Sequence, residues 1–193
     1  MKTYTNSIMQ RNYLSFINQT NNLVYYAADS IPLDHQKRKI PSELKRALGL
    51  KEEIANFYDY QIETGFGFSK LQFLAIISVC ADTEFLFKDL SENHFQLTAK
   101  RQNAYFQKID QVNTDIFIPK NIDLRDYPEF DRLKLGFQLR HIAIHNMGYV
   151  DEAFNNKIGL SYEVDKPFPM SRELMVETLK AFEGLLDTLD QLL

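Results

Sequence analysis

Several things are scarce in this sequence, and each scarcity excludes a class of protein. There is one cysteine, Cys80, so no intramolecular disulfide can form. It lies in the apolar run "FLAIISVCADTEF", where a buried and inert thiol is expected rather than a nucleophile. Glycines number seven and prolines six in 193 residues, too few for a loop-rich or low-complexity chain. No apolar core follows the N-terminal "MKTYTNSIMQRNYLSF", so a signal peptide is not expected. The longest apolar stretch, "LQFLAIISVCA", contains Gln72 and Ser78 and is too short to cross a bilayer. Excess positive charge is also missing. The formal net charge is −4, which argues against a strong nonspecific nucleic-acid binder. A soluble, cytoplasmic protein is the expectation.

What the chain does have is aromatic and helical. Fifteen phenylalanines and ten tyrosines suit a helix-rich fold with an aromatic core, and the length suits one sizeable core. The pattern predicts helices over 5–29, 40–48, 51–64, 69–91, 100–114, 129–146 and 171–193. Pro41 is tolerable in the first turn of the second, and Gly49 sits where a left-handed residue stops it. "TGFGFSK" (64–70) lacks the Walker spacing and has no strand before it, so it reads as a turn with Ser69 as N-cap of the next helix. That helix, 69–91, is apolar on most faces and is expected at the centre of a bundle, with Asp82 making a polar contact to another helix. "DIFIPKNIDLRDYPEF" reads as an irregular connection, and "KIGLSYEV" (157–164) alternates as a small hairpin or an extended loop would. Ser171 is the expected N-cap of the last helix; Leu174 stands where a capping box would need an acid or amide. The fold class is all-α, a helical bundle with one small β-like excursion.

Charge is uneven along the chain. Residues 35–46 carry Lys37, Arg38, Lys39, Lys45 and Arg46 against Glu43 alone, while the last helix is acidic. The basic cluster reads first as a solvated face and, if the substrate is RNA, as a set of backbone contacts.

The chemistry concentrates in "QLRHIAIHNMGYVD" (138–151), where Arg140, His141 and His145 fall within six positions before Asn146 and Gly148 break the helix. Three readings are open. His141 and His145 are four apart and share a helix face, a spacing that can bind zinc, with Asp131, Asp151 or Glu152 to complete a shell; the zincin pattern, though, needs glutamate where Ile142 stands. Alternatively, RNA supplies its own 2′-OH nucleophile, and an enzyme adds a base, an acid and a cation on the phosphate. Histidine suits the first two roles and arginine the third. Arg140 and His145 stand about 140° apart round the helix, flanking a groove rather than sharing a face. His145 also sits at the helix C-terminus, where the dipole favours positive charge. The plain reading is a helix end: an ion-paired arginine, packing histidines and a terminating Asn146 and Gly148.

"RHIAIHNMGYVD" resembles the R-x4-H signature of the HEPN superfamily (higher eukaryotes and prokaryotes nucleotide-binding domains) in its H-N-x-G-x-[VI]-D form. The resemblance covers about 66–193 of a single compact unit, leaving 1–64 as an N-terminal helical extension. It implies a small helical bundle that homodimerises, two motifs meeting in a composite site. It also implies metal-independent endoribonuclease activity with no cofactor, in a toxin or anti-phage effector with an antitoxin or defence-system partner protein. Other members are inactive binding modules. By position, Arg140 would hold the phosphate, His145 would be the general acid–base, His141 would support the site, and Asn146 would position His145 or contact RNA. Toxins modified by a nucleotidyltransferase antitoxin continue the motif as H-x-Y; here Met147 takes that place and Tyr149 is displaced by two, so an adenylylating antitoxin is not implied.

Overall fold

The computed structural model describes residues 1–23, 37–56, 58–60, 69–97 and 104–193. Its helices are α1 (Ser7–Phe16), α2 (Ser42–Leu48), α3 (Ser69–Asp89), α4 (Ile109–Val112), α5 (Phe130–His145), α6 (Glu152–Ile158) and α7 (Arg172–Leu192). Three of them run on into π-helical turns: α1 into Ile17–Asn21, α3 into Leu90–His94 and α4 into Asn113–Phe117. Among the described residues there is no strand, only two isolated bridges. The chain is an all-α bundle, as its periodicity predicts.

Helix α3 lies at the centre and packs against α1, α5 and α7. The aromatic residues fill the space between: Phe16 of α1 meets Phe182 of α7 at 5.0 Å between ring centroids, and Phe87 of α3 meets Phe117 at 5.5 Å. Each such fully buried ring contributes roughly 1.5–3 kcal/mol. Gly136 permits the close approach of α5, because a Cβ there would lie 3.1 Å from Thr178 of α7 and 3.7 Å from the Sγ of Cys80 on α3. Cys80 is buried in this three-helix contact, and burial pushes its thiol up. That fits an inert thiol.

Residues 1–23 pack onto the bundle. Arg11 and Asn12 of α1 both reach Asp89 of α3, and Asp190 of α7 accepts from the backbone of Thr5 and Asn6. The first helix is therefore part of the same core as α3 and α7.

The segment 37–56 is different. Helix α2 buries none of its side chains and ends at Gly49 in the left-handed region. The helix expected over 51–64 is absent from 51–56. That stretch instead folds back so that the Ile40 amide donates to Ala55, Lys39 bridges Asn56, and Ile40 and Ile54 are buried as a pair. The left-handed turn at Gly49 reverses the chain, and backbone pairing displaces helix. Residues 61–68, with the turn before Ser69, lie outside the described residues, as do 24–36, with the end of the helix expected over 5–29, and the start of the helix expected at 100. The described part of that last helix begins later, as a 3-10 turn over Tyr105–Gln107 followed by α4.

Of the two readings of 157–164, hairpin or extended loop, the structure shows a loop after a short helix. No strand pair forms at 157–164; Glu152–Ile158 is helical, started by Asp151 as N-cap and stopped by Gly159 at φ 68°. The β-like feature lies on either side of it, where the Val150 amide donates to the Lys166 carbonyl and the amides of Asp165 and Phe168 donate to the carbonyls of Val150 and Gly148. A cap at each end outweighs a short alternating pattern. The last helix is N-capped by Ser171, whose Oγ accepts from the Leu174 amide.

Candidate active site at the end of α5

One side of α5 buries Phe130, Leu133, Phe137 and Ile142. The other presents Lys134, Gln138, His141 and His145 at spacings of four, three and four, which is a single stripe along the helix. The helix ends where Asn146 and Gly148 both donate their amides to the Ile142 carbonyl at 2.9 Å. Gly148 has φ 86°, and a Cβ there would meet the Phe73 ring at 2.8 Å, so this position requires glycine twice over. The turn thus locks the end of α5 onto α3.

Arg140 points off the stripe toward α3. Its Nε stands 3.4 Å from Oε1 of Glu84, both side chains being about one-fifth exposed. Neither of those two atoms has a hydrogen-bond partner, so the contact is a charge pair without a formed hydrogen bond. Burial pushes the Glu84 carboxyl up, partly offset by Arg140 and by the Gln107 amide, which donates to Oε2 at 3.2 Å. Two residues earlier, Asp82 is also pushed up by burial, offset by the side chain of Thr20 in the turn after α1.

His141 and His145 lie ring to ring, centroids 4.8 Å apart. Both are exposed. Burial lowers the His141 pKa first, followed by the positive charges of Lys157, His145 and Arg140, with Asp151 opposing. Asn146 is turned away from the imidazoles: its Nδ2 donates in a short hydrogen bond to Asp151. The other oxygen of Asp151 accepts from the Phe154 amide at 2.6 Å. One carboxylate therefore ties the end of α5 to the start of α6, and Asn146 acts on the helix end rather than on His145 directly. Among the described residues no set of three or more His, Cys, Asp or Glu side chains could hold a metal ion.

A groove of about 600 Å³ opens beside the stripe. Arg140 and His141 line it with Lys134 of α5, Lys157 of α6, and Lys108 and Asp110 at the start of α4. His145 is not among its walls and stands on the far side of His141. The structure thus brings Arg140 and His141 to one opening and attaches His145 through ring contact. It does not bring in the basic cluster: Lys45 reaches the Glu52 carbonyl at 3.0 Å, Ile40 pairs with Ala55, and none of Lys37, Arg38, Lys39, Lys45 or Arg46 lines the groove. Glu84, Lys108, Lys134 and Lys157 were not singled out by sequence reasoning. Lys134 carried a usable signal, since it lies on the same 3–4 stripe as His141.

Compared with known proteins, the chain matches no family model, no curated protein and no solved structure. Among the described residues no helix is long and apolar enough to cross a membrane.

Proposed function

We propose that this chain is a metal-independent endoribonuclease of the HEPN type that acts as a homodimer, in the setting of a toxin or anti-phage effector with an antitoxin or defence partner. One observation carries the reading: the last turns of a single helix present an arginine lining a basic groove beside two imidazoles in ring contact. Those are the three kinds of group that phosphodiester transfer needs. Apolar surface next to them supports a second copy, since Ile144 is 46% and Met147 77% exposed.

In this reading His145 of one copy takes the proton of the 2′-OH as the 2′-oxygen attacks phosphorus. The bond from phosphorus to the 5′-oxygen breaks, and His145 of the second copy protonates that oxygen. The products are a 2′,3′-cyclic phosphate and a 5′-OH end. Arg140 stabilises the charge on the nonbridging oxygens, and its loose contact with Glu84 leaves it able to exchange that partner for a phosphate. His141 supports His145 through its ring, and Asn146 does so through the helix end.

The second reading is a HEPN-like module that binds without cutting. The Glu84–Arg140 pair favours it, because it holds the guanidinium within the fold.

End-labelled RNA incubated in EDTA with wild type, Arg140→Ala and His145→Ala separates the two. Cleavage by wild type with cyclic phosphate ends, reduced about 10²–10⁴-fold in folded, dimeric variants, is the expected result. Cleavage that survives His145→Ala places the chemistry elsewhere. No cleavage by wild type across varied RNAs selects the binding module.

A further inference from the structure

The groove beside Arg140 holds more positive charge than catalysis requires. Lys108, Lys134, Arg140 and Lys157 line it, with Asp110 as its one acid, in a chain whose net charge is −4. Lys134 pairs with Asp110 at 2.9 Å. Lys108 and Lys157 make no ion pair among the described residues, and both are exposed. A second depression of about 430 Å³ lies along α5 beside Pro128; Lys134 and Lys157 line both openings, and Arg132, Glu129 and Asp131 line the second alone. The two lysines thus join the openings, and the groove beside Arg140, which lacks Glu129 and Asp131, is the basic track. Gln107, Gln111 and Gln138 also line the groove.

We propose that this track is the substrate-binding surface, taking the phosphodiester backbone of single-stranded RNA on Lys108, Lys134 and Lys157 and leading it to Arg140. The proposal takes its ligand from the ribonuclease reading but places the binding on residues that reading does not use. It also replaces the 37–46 cluster as the backbone contact. Lys157 and His141 line the same groove, so a phosphate held on Lys157 lies beside the end of α5. The Asp110 carboxylate acts against binding and is the feature to exploit.

The test is fluorescence anisotropy with a labelled single-stranded RNA 12-mer at several salt concentrations, in the His145→Ala background so that nothing is cut. Three sets of changes are compared. Lys108→Gln with Lys157→Gln should weaken binding at least tenfold and lower the salt slope by about 1.4, two contacts at about 0.7 each for a single strand. Asp110→Asn should tighten binding severalfold, a gain that structural damage would not produce. Lys37→Gln with Arg38→Gln and Lys39→Gln should change nothing. The proposal is overturned if the 12-mer does not bind, if the Lys108 and Lys157 changes leave affinity and slope intact, or if the 37–39 changes carry the loss. Charge-dependent binding without any cleavage by the His145-containing protein would sustain the track and remove the ribonuclease.

Discussion

Helix α3 offers two carboxylates, Glu84 and Asp89, each to an arginine on another helix, and the two pairs end in opposite conditions. Asp89 is 4% exposed and fully engaged. Arg11 reaches both of its oxygens at 2.7 and 2.6 Å, Asn12 donates at 3.0 Å and Asn93 at 2.6 Å. Burial pushes its pKa up, but Arg11, Asn93 and Asn12 together bring it below the usual carboxylate value. Glu84 meets Arg140 at 3.4 Å with the facing atoms unbonded, and its pKa stays above the usual value. One pair is a satisfied clamp between α1 and α3. The other carries burial cost that its partner only partly offsets.

The sharpest way to break this comparison is to remove each acid. Asp89→Ala should lower stability by about 2–3 kcal/mol, the scale of lost hydrogen bonds to a charge, or about 5–10 °C in Tm. Cleavage per folded molecule should not change. The pH dependence gives the sign. Asp89, lowered in the fold, contributes stability above the ordinary carboxylate pKa and loses it as pH falls through its folded value, so Asp89→Asn should flatten the acid limb of unfolding. Glu84, raised in the fold, runs the other way: its contribution is complete below the ordinary value and is lost as pH rises through the folded one.

Glu84→Gln should therefore leave stability at neutral pH within about 1 kcal/mol of wild type, while RNA affinity rises about threefold as Arg140 loses its local counter-charge. Equilibrium denaturation and anisotropy read the two effects separately, and a Glu84→Gln protein as unstable as Asp89→Ala would erase the distinction. The smallest effect belongs to Asp82, whose Oδ2 is buried without a partner. Asp82→Asn should raise Tm by about 2 °C at pH 7 to 8, with the gain vanishing below about pH 4, where the aspartate is itself protonated.

The helical class, the central place of α3, the bounds of α5 and the Ser171 cap could all be read from the sequence, because each follows from local periodicity or a single capping residue. Less could be read where two local signals competed. At 157–164 alternation left hairpin and extended loop open, and a loop forms after the helix that Asp151 and Gly159 bound. At 51–56 helical propensity gave way to pairing with Lys39 and Ile40. Within the site, Arg140, His141 and His145 were legible because they are adjacent in sequence. Glu84 and Lys108 were not: they reach the site from other segments, and nothing in their own neighbourhoods marks them.

Helix α6 is short, about 10 Å at the usual rise, yet it touches the motif helix's surroundings at both ends. Asp151 at its start holds Asn146, and Lys157 in its last turn stands within the field of His141. It therefore works as a strut in a triangulated frame, with α5 as the opposite member. A strut anchored at one end and loaded at the other transmits displacement along its length. One short helix thus joins Lys157 of the groove to Asn146, one residue from His145.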